Sequence, residues 1–140
     1  DTGVFDAAGT KGDGNLVRSM PDNKGTLTLN WRNGNQGVTA INRHIGSYRD
    51  LGFEGALTTA NDFTRPLLSQ TIESYDTWDF QYNYNHNWSD SRFGSTTFTV
   101  GLLDAFNQTL PYRELSALRF DSSVFEGRGR RWYARALWAF

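Results

Sequence analysis

Apolar and polar side chains alternate along most of this chain, and no stretch sustains the 3.6-residue apolar period of a helix. The sharpest alternation runs over Tyr75–Trp88, where even positions from 78 to 84 are aromatic and odd positions are polar. Successive side chains of a strand point to opposite faces, so the two sets would line opposite faces of a sheet. The pattern predicts an all-β fold. Similar alternation predicts four more strands: Thr26–Arg32, Gln36–Tyr48, Ser95–Phe106 and Arg131–Phe140.

The predicted connections between strands alternate between short and long. Asn33–Asn35 holds an Asn-Gly turn signal and Ser89–Gly94 is also short, but Arg49–Gln70 and Asn107–Gly129 contain about 20 residues each. This arrangement predicts an antiparallel up-and-down sheet with unequal ends, as in outer-membrane β-barrels. Residues 1–23 are rich in Gly, Asp and Asn, which predicts a loop segment. Residues 24–140 contain the predicted strands.

The composition excludes several classes of protein. The 140 residues amount to one domain, and a net charge of −1 provides no basic surface for nucleic acid. The absence of Cys excludes disulfides, thiolate zinc sites and cysteine nucleophiles. A mean hydropathy of −0.59 is typical of soluble proteins, but the strands of a transmembrane barrel are also half polar.

Aromatic residues make up 15% of the chain, and their positions favour a transmembrane barrel. Smaller residues such as Val100, Ala134 and Ala136 lie between them, which is typical of interfacial girdles rather than of a soluble core. The chain also stops within the strand pattern, without a polar tail. The aromatic residues at predicted strand ends are Trp31, Tyr84, Trp88, Trp132, Trp138 and Phe140.

Five strands are too few to close a barrel, for which about eight are needed. An open sheet edge would leave backbone groups unpaired in lipid. The chain also begins with Asp1 rather than Met, and no signal segment follows. We therefore expect these residues to be a processed, cut or partial chain that supplies the last five strands of a larger barrel.

Four segments, in order, resemble the C-terminal end of TonB-dependent outer-membrane receptors. The closing Gly-Arg segment and last strand of that family are similar to Gly127–Phe140, and its penultimate strand to Ser95–Pro111. Within Ser95–Pro111, Asp104 and Ala105 differ from the Asn-Leu-Phe-Asp motif that is usual in the family. The two preceding parts of the family pattern resemble Tyr75–Tyr84 and the stretch from Met20 to Asp50.

The resemblance implies a plugged barrel of about 22 strands in the bacterial outer membrane, without a cofactor. Its activity would be energised uptake of a scarce ligand: a ferric siderophore, cobalamin or an oligosaccharide. The implied partners are outer-membrane lipid, the rest of the barrel and its plug, the TonB complex acting through that plug, and the barrel-assembly machinery. The long connections and residues 1–23 would be extracellular, and the two short turns periplasmic.

Side chains are assigned to sites in two ways: by whether their residue number is odd or even within a predicted strand, and by their position in a predicted loop. The polar residues expected to face the lumen are Asp79, Gln81, Asn83, Arg131 and Arg135. The membrane-facing residues, which also form the assembly signal, are Trp132, Ala134, Ala136, Trp138 and Phe140. Loop aromatics that would either contact a small-molecule ligand or pack the loops together are Tyr48, Phe53, Phe63, Tyr112, Phe120 and Phe125.

No catalytic or metal site is predicted. Alternation separates Asp76 from Asp79, which argues against a carboxylate pair acting across one substrate. His44 and His86 lack metal-ligand spacing, so we expect no metal and no enzyme. Two alternatives stay open: a secreted carbohydrate-binding β-sandwich that uses the aromatic face of Tyr75–Trp88, and a small porin-like barrel formed by several copies of the chain.

Overall fold

The computed structural model describes residues 9–12, 15–50, 70–89, 94–113, 116 and 118–139. These residues form two compact units, and those described contain no helix long and apolar enough to cross a membrane. The first unit comprises Asp1–Gly25, His44–Tyr75 and Thr109–Gly127, and the second comprises Thr26–Arg43, Asp76–Gln108 and Arg128–Phe140.

Nine strands lie within the described residues, in two sheets. In chain order they are β1 Thr10–Gly12, β2 Asn15–Met20, β3 Lys24–Asn33, β4 Gln36–Ile45, β5 Tyr48–Asp50, β6 Gln70–Ile72, β7 Tyr75–Asn87, β8 Ser95–Leu103 and β9 Arg131–Ala139. The all-β prediction is confirmed. The larger sheet has five strands in the order β3-β4-β7-β8-β9, and the smaller has four in the order β2-β1-β5-β6.

The five-stranded sheet follows the alternation of the sequence strand by strand. Its members β3, β4, β7, β8 and β9 correspond to the five predicted strands, with ends shifted by up to three residues. β7 and β8 pair antiparallel, as do β8 and β9. The β3–β4 connection is the predicted Asn-Gly turn, in which Gly34 has a φ of 55° that suits glycine.

The register of this sheet keeps odd positions opposite odd positions across three strands. Asn83 of β7 is opposite Thr99 of β8, and Thr99 is opposite Arg135 of β9. The polar face of β7 is therefore continuous with polar positions on both neighbours. The apolar face is equally continuous, through the row of Tyr82, Val100 and Ala134.

Long and short connections leave this sheet at different ends. Residue 103 at the end of β8 is opposite residue 131 at the start of β9, and the connection between them is long. At the other end, Trp88 N donates to Gly94 O (3.0 Å) beside the short β7–β8 connection. The sequence predicted this asymmetry.

The first unit contains strands that the alternation did not predict. Residues 1–23 read as a loop, yet β1 and β2 form there, and β1 pairs in parallel with β5. β5 in turn pairs antiparallel with β6, at the two margins of the predicted loop 49–70. β1, β5 and β6 have three residues each, too few to show a period of two, and the six residues of β2 mix apolar and polar types at both even and odd positions. Residues 51–69 lie outside the described part of the chain.

The core of the first unit is small. It consists of Tyr48, Ile72, Tyr75 and Phe125, with Ile45, Leu110, Phe120 and Val124 packed against them. Two of these buried residues come from the ends of β5 and β6, and Phe125 comes from the connection before β9. That connection, Asn107–Gly129, contains neither helix nor strand where it is described.

The five-stranded sheet is open, with β3 and β9 at its edges. The antiparallel arrangement of its described β7–β8–β9 part is as expected. Closure into a barrel is not shown by the described strands.

Candidate functional site

The apolar face of the five-stranded sheet is exposed. Leu29 of β3 is 54% exposed, Val100 of β8 is 49% exposed and Trp132 of β9 is 75% exposed. The buried large hydrophobic side chains among the described residues all belong to the first unit. A water-soluble sheet usually buries its apolar face, whereas the described residues leave much of this one uncovered.

Side-chain contacts fix which face each strand contributes. Arg43 of β4 donates to Asp79 of β7, and Thr39 Oγ1 donates to Asn30 Oδ1 of β3 at 2.8 Å. Odd positions of β4 therefore share the polar face with even positions of β3. Leu27, Leu29 and Trp31 consequently lie on the apolar face, with the even positions of β7.

Aromatic residues form two belts across the apolar face. The first belt, at the start of β7, consists of Trp78, Phe80, Phe106 and Trp132. The second belt, at the other end, consists of Trp31, Tyr84, Trp88 and Trp138. Ten residues separate Trp78 from Trp88, which is about 33 Å along a strand and about 23 Å after a tilt of about 45°. This outer spacing is close to the apolar band of about 25 Å between aromatic girdles of outer-membrane barrels, whereas the inner rings Phe80 and Tyr84 are about 13 Å apart along the strand.

Ring contacts link some members of each belt, and His86 extends the second belt on the same face. In the first, Phe80 stacks with Trp78 at a centroid distance of 6.1 Å and meets Phe106 edge-on at 6.3 Å. In the second, His86 meets Trp88 edge-on at 4.6 Å, and Trp88 Nε1 donates to Thr96 Oγ1 at 2.8 Å. An indole with an apolar body and a bonded N–H is suited to an interface between lipid and water.

The polar face carries every arginine of this sheet. Four arginines lie there, and Asp79 is the only carboxylate on that face. Of the predicted lumen-facing residues, Gln81, Asn83, Arg131 and Arg135 all fall on this side by register, together with Asp79. The four arginines are Arg32, Arg43, Arg131 and Arg135.

Asp79 connects three segments of the second unit. Its Oδ2 accepts from Arg43, and its Oδ1 accepts from the backbone N–H of Asp104 at 2.9 Å. Asp104 and Asn107 have φ values of 47° and 50°, so the turn after β8 places two side chains in the left-handed region. Buried and paired in this way, Asp79 is a structural anchor rather than a free acid.

Gly101 and Tyr133 are closely packed on the polar face. The Tyr133 ring lies over Gly101, where an added Cβ would come within 2.2 Å of ring carbons. The Tyr133 hydroxyl reaches β7 and donates to Gln81 Oε1 at 2.7 Å. The Tyr133 side chain of β9 thus joins three strands. The alternation of polar and apolar residues within each strand did not predict these contacts.

A recess of about 330 Å³ opens on the polar face beside the β3–β4 hairpin. Hairpin residues form one wall, including the backbone of Gly34 and Gly37. The polar row of β7 forms the other wall. The other residues lining it are Arg32, Asn35, Gln36, Asn83, Asn85, Asn87 and Thr97.

Several loop aromatics proposed as ligand contacts lie in the core of the first unit. Tyr48 and Phe125 are 2% and 4% exposed, and Phe120 packs against them. At these positions the structure favours the packing alternative. Tyr112 is 54% exposed and stays a ligand-contact prediction, and Phe53 and Phe63 lie outside the described residues.

Polar contacts fix the connection before β9 within the first unit. Arg113 Nε donates to the buried Asp50 Oδ2 at 2.5 Å, and the Tyr48 hydroxyl donates to the buried Asp121 Oδ2 at 2.8 Å. Arg119 donates to the Tyr112 hydroxyl at 2.8 Å. These contacts hold the described residues around Tyr112 in place, and the Tyr112 side chain is exposed.

The titratable residues considered for chemistry are dispersed. Asp76 accepts from Asn42 Nδ2 (3.5 Å), on the face opposite Asp79. His86 belongs to the second belt and His44 to the first unit. The described residues hold no group of three or more His, Asp or Glu able to bind a metal ion. The predicted membrane-facing Trp132, Ala134, Ala136 and Trp138 are exposed on β9, and Phe140 is not described.

The recess, the Asp79 anchor and the Tyr133 contact were missed by reasoning from sequence. All three depend on which residues are opposite one another across strands, and parity within one strand does not contain that information. No protein-family model, curated protein or solved structure matches this chain.

Proposed function

We propose that the five-stranded sheet is part of the wall of a transmembrane β-barrel in a bacterial outer membrane. Its apolar face contacts lipid, and its arginine-bearing face lines the interior. The exposed apolar face with its two belts is the observation that carries the proposal. Strands β3, β4, β8 and β9 have nine or ten residues each, the length that a tilted strand needs to cross the hydrocarbon layer.

The kind of barrel we propose is the C-terminal part of a TonB-dependent receptor for energised ligand uptake. The support is the order of four sequence segments, together with a sheet whose connections are short at one end and long at the other. In such a receptor this chain would form part of the barrel wall and would not act as an enzyme. The first unit would contribute extracellular connections, and a plug and further strands would complete the barrel.

Site-directed labelling tests the lipid-facing assignment directly, since the chain contains no native Cys. Single Cys replacements at Val100 and Ala134 probe the apolar face, and replacements at Thr97 and Leu137 probe the polar face. Each variant is labelled with a bimane fluorophore in vesicles that contain brominated lipid. We expect brominated lipid to quench the bimane fluorescence at positions 100 and 134 and to leave the fluorescence at positions 97 and 137 unquenched.

The neighbouring polar-face positions serve as matched controls, because Thr97 and Leu137 are opposite each other on the same two strands. Equal quenching on both faces would overturn the proposal. A chain that stays monomeric and folded in buffer without detergent would also overturn it. That second result would favour the carbohydrate-binding sandwich.

A further inference from the structure

We propose that the recess beside the β3–β4 hairpin binds a small oxyanion, that is, a carboxylate- or phosphate-bearing molecule. A volume of about 330 Å³ is at the lower end of the range of small-molecule pockets. The recess is defined by residues of the second unit alone, so the inference goes beyond the proposed function and does not depend on lipid.

Hydrogen-bonding capacity is concentrated in the lining of the recess. Asn83 Oδ1 already accepts from Thr99 Oγ1 at 2.9 Å and from Gln81 Nε2 at 3.1 Å. A carbonyl oxygen has two lone pairs, so what Asn83 has left to offer is its two N–H donors. Within the described part of the chain, the side chains of Asn85 and Asn87 make no hydrogen bond.

Charge gives the lining its preference for anions. Arg32 offers a guanidinium whose fork of donors fits a carboxylate or phosphate, and it makes no ion pair with any described residue. No carboxylate lines the recess. Arg135 lies on the same polar row as Asn83 and adds to the positive potential of this face.

Other ligand classes fit the lining less well. A cation would be repelled by Arg32, and the lining offers no carboxylate to bind it. A neutral sugar would find amides but no aromatic ring among the lining residues, because the rings of this part of the sheet lie mainly on the other face. An oxyanion uses both the guanidinium and the amide donors.

Titration of the full chain in detergent micelles tests the proposal, with the side-chain amide signals of ¹⁵N-labelled protein as the readout. The probes are inorganic phosphate and succinate, with glucose as the neutral comparison. We expect the amide signals of Asn83, Asn85 and Asn87 to move with at least one anion and not with glucose. A response to phosphate alone assigns phosphate esters, and a response to succinate alone assigns carboxylates.

Variants identify the group responsible. Arg32→Gln should weaken binding about tenfold or more, since hydrogen bonds to a charged group are worth about 1.5–3 kcal/mol. Arg32→Lys keeps the charge but loses the fork of donors, so its affinity should lie between that of the native chain and that of Arg32→Gln. Arg128→Gln, which removes an exposed arginine outside the recess, should leave binding unchanged.

Three results would overturn the inference: no anion moves the signals, glucose moves them equally, or the two Gln variants lose affinity equally. If Arg32→Gln fails to fold, Asn87→Asp tests the same point, because a carboxylate in the lining should repel the anion. A negative titration leaves the lipid-quenching result standing, so the two proposals fail separately.

Discussion

At the scale of single residues, the second unit relies on a few side chains that join several strands. Asp79 bonds β4 and the turn after β8, and Tyr133 covers Gly101 and bonds Gln81. Among the described residues, the buried large hydrophobic side chains all belong to the first unit, so polar contacts of this kind link the strands of the second. Buried side chains of the sheet include Thr99 at 1% exposure, so its interior contacts are polar.

Gly101→Ala should reduce stability by about 1–2 kcal/mol. The new Cβ displaces the Tyr133 ring, which loses its hydrogen bond to Gln81 and its packing on the strand. Denaturant unfolding in lipid, followed by Trp fluorescence, measures the effect. In a Tyr133→Ala background the same Gly101→Ala change should cost about 1 kcal/mol less, and an unchanged cost in that background would contradict the explanation.

At the scale of strands, position on a face decides how a side chain is tolerated. β9 is the clearest case, because all of its described residues from 132 to 139 are exposed and only parity separates the faces. Leu137 is an apolar residue on the polar face, opposite Thr97. Ala134 is on the apolar face, opposite Val100.

Replacing Leu with Arg usually costs more stability than replacing Ala with Arg, because Leu is more hydrophobic. At these two positions we expect the opposite order. In the proposed barrel, Ala134→Arg would place a charge against lipid and should cost about 2–4 kcal/mol if it is near the middle of the bilayer. Leu137→Arg joins the arginines of the polar face and should cost under about 1 kcal/mol. Unfolding in vesicles measures both, and a larger loss for Leu137→Arg would refute the assignment of faces.

The sequence predicted these faces because a period of two is visible within one strand. Tyr75–Trp88 separates its aromatic and polar residues so fully that the faces of β7 could be assigned before any register was known. β1 and β5 were missed, because a three-residue strand has too few positions to show a period. The recess was missed because Arg32 and Asn85 are distant in the chain and meet only through pairing of the hairpin with β7.

At the scale of the molecule, the two units are stabilised differently. The first has a small aromatic core and buried carboxylates, including Asp50 with its partner Arg113. The second is a sheet with an exposed apolar face and two open edges, β3 and β9. An open edge with unpaired backbone groups invites further pairing, and it is not tolerated in lipid.

Backbone amide exchange along β9 tests whether another strand pairs with that edge. In the sheet as described, only alternate amides of β9 face β8, since antiparallel bonds alternate along a strand. If the sheet belongs to the proposed barrel, a further strand should protect the remaining amides as well when exchange is measured in lipid. Exchange measured residue by residue would show continuous protection, and protection at alternate residues only would argue against closure.

The alternation of short and long connections also sets an order in which the strands can pair during folding. The β3–β4 and β7–β8 pairings each close a short connection. Joining β4 to β7 closes about 30 residues, which costs roughly 2 kcal/mol more loop entropy than a two-residue turn. Hairpins form within about 1–10 μs, so two hairpins should exist before the sheet does. β9, which follows another long connection, would join a sheet that is already assembled.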